Sequence, residues 1–239
     1  MVQYNINIIM PTCARKHQLH GSLIYHIINR GNRREDVFHY SEDYEYFIKL
    51  LSDYSVRFDT LIYHWVIMPN HYHILIEIKA PENLSKIMAG IARSYVHYYQ
   101  RNYKLGGHIW QGRFKSQPIE KESYLLACGR YIERNPVKAK MVNKAEEYKY
   151  SSAKCYIYGT PDGLTKEDPC FNSFGKDAAD RRKRYSEYLA ISNEHEESLF
   201  KDSESPVGSA QFKAKLIYKD GRHIPRRKGR GPKVPILNT

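Results

Sequence analysis

Cysteine is scarce in this chain: Cys13, Cys128, Cys155 and Cys170 stand far apart among 239 residues, with no CxxC pair. That spacing gives no disulfide framework and no thiolate zinc site, and it fits free thiols in a reducing compartment. Long apolar runs are missing as well. No stretch reaches the roughly 18 residues of a spanning helix, and no basic amphipathic anchor is present. The first nine residues lack a positive start, an adequate apolar stretch and a small-residue cleavage site, so they do not read as a signal peptide. A cytoplasmic protein is expected. Acidic residues are the minority, 26 Asp and Glu against 38 Lys and Arg, for a formal charge of +12. Such a surplus calls for a polyanionic partner, and with no membrane feature in view nucleic acid is the expected one.

What is present is a folded chain. Hydrophobic residues make up 41% and tyrosine alone occurs 21 times, enough for one substantial core. Residues 22–29 (SLIYHIIN), 61–67 (LIYHWVI) and 71–78 (HYHILIEI) are rich in β-branched and aromatic residues and read as strands. The short Met68-Pro69-Asn70 link makes the last two an antiparallel hairpin. Ser41, with Glu42 and Asp43, opens a helix carrying Tyr44, Phe47, Ile48 and Leu51 at helical spacing. Asn83 is placed as the cap of a second helix with the stripe Leu84, Ile87, Met88, Ile91, Tyr95 and Tyr98. Residues 113–119 read as a fourth strand, confined by Pro118 to an edge or a strand end. A third helix runs from about Lys121 towards Asn135, where Pro136 disfavours continuation. The order β-α-β-β-α-β-α predicts an α+β fold: a ferredoxin-like antiparallel sheet of four to five strands flanked by helices. Beyond residue 158 the chain becomes turn-rich, then charged and helical over 176–190. Residues 201–239 hold ten Lys and Arg against three Asp and Glu, which is +7 of the +12. This basic C-terminal extension is expected to act as a DNA-contacting arm.

Two local patterns could carry chemistry. In His71-Tyr72-His73 the alternation of a strand puts both histidines on one face, where two imidazoles can grip one metal ion. Two ordinary strand histidines would look the same. Tyr131 and Asn135 are four apart on a helix and face one way, a phenolic nucleophile beside an amide oxygen able to complete a metal site. The plainer alternative is that Tyr131 extends the stripe of Tyr124 and Cys128 into the core while Asn135 ends the helix. Arg33, Arg34, Arg113, Lys115 and Arg134 are candidate phosphate clamps or solvated surface charges. Trp110 could stack on a base or close the core, Phe114 is read as core, and Glu77 either orients His73 or is an ordinary exposed acid.

In combination these patterns resemble a known family. His71-Tyr72-His73, Trp110-Gln111-Gly112-Arg113-Phe114 and Tyr131-Ile132-Glu133-Arg134-Asn135-Pro136 occur in the order found in the HUH single-tyrosine transposases, most like the REP-associated tyrosine transposases. Asn29-Arg30-Gly31-Asn32-Arg33-Arg34 fits as well, and a weaker likeness extends through Gly208-Ser209-Ala210-Gln211-Phe212. The resemblance implies a catalytic domain over 21–158, an N-terminal extension and lead-in over 1–20, and the basic extension over 159–239. Relatives begin just upstream of the first strand, much as this sequence does from Met10, so residues 1–9 read as an extension or a misassigned start. It further implies a divalent ion, Mg²⁺ or Mn²⁺, on His71, His73 and Asn135, with Tyr131 cutting single-stranded, hairpin-bearing DNA through a 5′-phosphotyrosine. No organic cofactor is implied, and a monomer is favoured over a homodimer. The competing expectation is a nucleic-acid-binding protein that keeps the fold without metal or covalent chemistry.

Overall fold

The computed structural model describes residues 23–104, 106–201 and 205–220. The N-terminal residues 1–20 and residues 221–239 of the basic tail lie outside them. The sheet is built from β1 (Leu23–Arg30), β2 (Leu61–Met68), β3 (His71–Ile78) and β4 (Lys115–Ile119), interleaved with α1 (Ser41–Arg57), α2 (Pro81–Tyr103) and α3 (Lys121–Glu133). Its spatial order is β2-β3-β1-β4 and every neighbouring pair is antiparallel. The first strand thus lies between the third and the fourth, which is the ferredoxin-like arrangement expected.

Alternation along the strands feeds two cores. Tyr25 and Ile27 of β1 and Tyr72, Ile74, Ile76 and Ile78 of β3 face α1 and α2, where they bury Phe47, Leu51, Leu84, Ile87 and Ile91. The opposite face carries Ile24, Val66, Met68 and Leu75, and α3 covers it with Leu125, Cys128 and Ile132. The face holding the histidine pair is therefore enclosed by helix too. Asp43 secures the other layer: its Oδ2 accepts from the backbone N–H of His39 (2.8 Å) and Tyr40 (3.0 Å) and from the Tyr103 hydroxyl (2.6 Å), closing the start of α1 onto the end of α2.

Three boundaries differ from the sequence reading. α2 begins at Pro81, so Asn83 sits inside its first turn and caps nothing; proline has no N–H to leave unpaired there and its φ is already helical. β4 starts at Lys115, two residues later than expected. It is an edge strand, where Pro118 costs no ladder bond; the Pro118 carbonyl accepts from Val207 N–H at 2.9 Å. α3 ends at Glu133, but the chain takes another turn, α4 (Asn135–Lys138), with Pro136 in the position helices tolerate.

After α4 the chain builds on α3. α5 (Ala153–Tyr158), α6 (Ala178–Ala190), α7 (Glu194–Lys201) and α8 (Ala210–Asp220) follow. Tyr156, Phe171, Tyr185 and Leu189 form a third cluster, while Phe200 and Val207 join the core beneath α3. A buried polar knot reinforces the join. His64 of β2 meets Glu133 of α3 through Nδ1 (2.8 Å) and Asp168 through Nε2 (3.1 Å), all fully enclosed. Ser152 and Tyr185 also donate to Glu133, at 2.6 and 2.8 Å. Burial alone would lower the His64 pKa, but the two carboxylates outweigh it and lift it to about 9. Gly129 is required here, because a Cβ would lie 2.6 Å from the His64 ring.

Candidate active site

β3 presents His71 and His73 on the α3 side of the sheet, with ring centroids 5.1 Å apart and planes at 78°. His71 sits at the mouth of the β2–β3 turn, whose geometry a second segment enforces. Gly31 N–H donates to the Asn70 carbonyl at 2.7 Å, and the following turn folds back so closely that a Cβ on Gly31 would strike the Glu35 carbonyl at 2.2 Å. The Asn70 side chain donates through Nδ2 to the Arg34 carbonyl (3.0 Å), which leaves its Oδ1 to accept from His71 Nδ1–H (2.6 Å). Nε2 of His71 therefore keeps its lone pair. His73 is buried, and its Nδ1 lies 2.8 Å from Nε2 of His26, a fully buried residue of β1 stacked on it at 5.1 Å.

Tyr131 comes down from α3 onto this pair. Its ring makes edge contacts with His73 (5.7 Å) and His26 (5.8 Å), and Phe200 of α7 lies against it at 5.4 Å. It is 8% exposed and belongs to the same core as Cys128, so the stripe reading and the site reading meet in one residue. Burial, with Cys128 and Glu197 nearby, raises the phenol to about 12, and Arg30 pulls the other way. Asn135 opens α4, one turn after Tyr131, and its Nδ2 donates to the carbonyls of Tyr131 (2.8 Å) and Ile132 (3.1 Å). Both amide hydrogens are thereby used, and Oδ1 remains as a donor for a cation.

The cations distribute unevenly. Arg33 and Arg34 are exposed and occupy left-handed backbone at φ 53° and 65°, in the turn that holds Asn70. Arg113 is exposed and Lys115 half-buried at the start of β4. Arg134 is committed elsewhere: its buried guanidinium donates through Nη1 to the carbonyls of Leu189 (2.6 Å) and Ala190 (2.9 Å) at the end of α6. That satisfies a helix C-terminus and takes it away from any phosphate. Trp110 is half-buried among Phe38, Phe47, Tyr72 and Tyr95, on the α1–α2 side of the sheet. Phe114 is core, as read. Glu77 accepts from the Tyr63 hydroxyl (2.5 Å) and faces Lys121, so His26 and not Glu77 stands behind His73.

Two cations near the site escaped the sequence reading. Arg30 pairs with His71 across β1 and β3. Lys138 Nζ lies 5.3 Å from the Tyr131 ring centre while bound to Glu197 at 2.6 Å. Pairing register would have flagged Arg30; nothing in the sequence signals Lys138 or His26.

Among the described residues no three His, Cys, Asp or Glu side chains converge as a metal cluster. An ion on this face would thus take two imidazoles and a third ligand of another type, and Asn135 supplies that type. Burial holds His26 and His71 down to about 4, Arg30 adding to the effect on His71, and drives His73 well below its ordinary value. Neutral imidazoles are the form that ligates. The donor set fits a divalent cation.

The family model described as "Transposase IS200 like" matches residues 4–135. A solved structure of a REP-associated tyrosine transposase bound to a REP hairpin is 18% identical, with a TM-score of 0.48, covering 67% of this chain and 89% of that one. No curated protein matches the chain.

Proposed function

The chain belongs to the IS200-like transposase family, and on that premise we propose that it cuts and rejoins single-stranded DNA through a phosphotyrosine on Tyr131. The observation that carries the reading is the approach of Tyr131 to the histidine pair, 5.7 Å between the Tyr131 and His73 rings, with Asn135 one helical turn further on. Its hydroxyl has no partner among the described residues and is not among their buried unpaired atoms, so the reactive end still meets solvent.

His71, His73 and Asn135 would hold the divalent ion, Mg²⁺ or Mn²⁺, and such an ion polarises a phosphate oxygen and offsets charge developing on it. Arg30 adds positive charge beside the phenol, which favours the phenolate that burial and Glu197 oppose. Tyr131 Oη attacks phosphorus in line as the bond from phosphorus to the 3′ oxygen breaks. The phenolic proton is lost and the departing 3′ oxygen gains one, leaving a 5′-phosphotyrosine and a free 3′-hydroxyl. One phosphodiester replaces another, so a second 3′-hydroxyl can reverse the step without ATP. Arg33, Arg34, Arg113 and Lys115 would clamp the DNA backbone. Hairpin-bearing DNA, action as a monomer and a place at the nucleoid complete the proposal.

The test uses labelled hairpin-bearing oligonucleotides and the full chain. Cutting is expected in Mn²⁺ or Mg²⁺, is abolished by EDTA, and leaves a peptide adduct on Tyr131 in mass spectra. Tyr131→Phe removes only the hydroxyl and should bind DNA without forming the adduct. An adduct on another tyrosine would displace the nucleophile. DNA binding with no adduct under any condition would favour a binding protein of the same fold.

A further inference from the structure

The hydrogen bonds behind His73 run in one direction. Gln117 of β4 is fully buried, and its Nε2 donates to the carbonyls of Leu199 (3.0 Å) and Ser205 (2.7 Å). Carbonyl oxygens only accept, so the NH₂ must face them and Oε1 must face His26, whose Nδ1 lies 3.3 Å away. Oε1 also only accepts, which puts the hydrogen of His26 on Nδ1. A ring so buried, with no carboxylate partner among the described residues, stays neutral, and its Nε2 is then a bare acceptor. His73 Nδ1, 2.8 Å from it, must donate. Nε2 of His73 is left with its lone pair.

We infer that His26 and Gln117 are positioning residues for the metal ligand His73, fixing its tautomer and ring orientation so that Nε2 faces the ion. The inference rests on the metal reading proposed above. His71 has a counterpart in Asn70, whose amide is turned by the Arg34 carbonyl in the same manner. Each histidine of the pair is set by its own amide, and each amide by backbone carbonyls. The chain behind His73 gathers β3, β1, β4 and the residues around α7 into one network. Partners of this kind set ligand basicity and orientation, and their loss typically weakens metal affinity about 10–100-fold.

The experiment uses the full chain with ¹⁵N-labelled histidine. Long-range ¹H–¹⁵N spectra of the metal-free protein read the tautomers, and Mn²⁺ titration followed by electron paramagnetic resonance reads affinity. His26 and His73 are both expected in the Nδ1–H form. In His26→Phe the ring packing is retained, but His73 loses its acceptor; its Nδ1–H preference should relax and Mn²⁺ affinity fall about 10–100-fold. In His26→Gln the new Oε1 can accept from His73 while its NH₂ donates to Gln117, so most of the affinity should return. Gln117→Leu should lower affinity in the same sense. Thermal unfolding of each variant identifies any that fail to fold. A wild-type His73 protonated at Nε2, wild-type affinity in His26→Phe, or equal losses in the Phe and Gln variants would overturn the inference. A wild type that binds no Mn²⁺ would overturn the metal reading instead, and the two failures separate because the tautomers are read without metal.

Discussion

Gly129 and His64 occupy the same space in the sense that one excludes a side chain on the other: a Cβ at 129 would sit 2.6 Å from the imidazole. Gly129→Ala is expected to destabilise the protein by about 1–3 kcal/mol, the usual cost of overpacking a full core, read from urea unfolding. An unchanged midpoint would mean that the ring can shift at no cost. His64→Leu should be worse, by about 3–5 kcal/mol, because it strands Glu133 and Asp168 in full burial. The same knot sets a pH window. His64 has its folded pKa raised from 6.5 to about 9, so its contribution is complete below about 6.5 and lost as pH rises through 9. His26 and His71 are depressed to about 4, so theirs is complete above about 6.5 and lost as pH falls through 4. Stability should therefore peak near pH 6.5 and decline towards pH 9, and a midpoint that climbs from pH 7 to 9 would contradict the charged His64. Little of this was legible in the sequence. His71, His73, Tyr131 and Asn135 stood out because their spacings, 2 and 4, are the periods of a strand and a helix. His26 and His64 are single histidines inside apolar strands, and their partners lie 91, 69 and 104 residues away.

Elements with a strong period were readable and those held by sparse contacts were not. The four strands and first three helices announce themselves by alternation or by a 3.6-residue stripe, and the sheet order follows from their succession. The helices after residue 158 show no such stripe, because their anchors are few and widely spaced: Tyr185, Leu189, Phe200 and Val207, with Arg134 reaching across to α6. The sequence places the structural break near 158, yet Val207 N–H donates to the Pro118 carbonyl and Ser205 holds Gln117. A chain stopped at residue 176 loses those four apolar anchors, each contributing about 1.5–3 kcal/mol, against a total stability of about 5–15 kcal/mol. It should fail to give a cooperative unfolding transition by circular dichroism. A chain stopped at residue 220 should keep the wild-type transition.

For the molecule as a whole, positive charge gathers towards the end of the sequence. Residues 221–239 carry six Lys and Arg and no Asp or Glu, and they lie outside the described residues. If this arm runs along single-stranded DNA, removing it should reduce the slope of log K against log salt by up to about 4, at about 0.7 per phosphate neutralised. Fluorescence anisotropy at several salt concentrations measures it, and an unchanged slope would show that the arm leaves the backbone alone. The network behind His73 has a different reach, which is through time. The ribosome delivers His71, His73, Tyr131 and Asn135 well before Leu199 and Ser205, whose carbonyls orient Gln117. At about 5–20 residues per second, the roughly 65 residues between Asn135 and Leu199 take about 3–13 s to synthesise. Throughout that interval a nascent chain holds its proposed nucleophile and ligands with His73 still free to choose its tautomer. On that reading the proposed site is finished by a segment made late, so a protein interrupted in translation before Leu199 carries the residues of the proposed site without their arrangement.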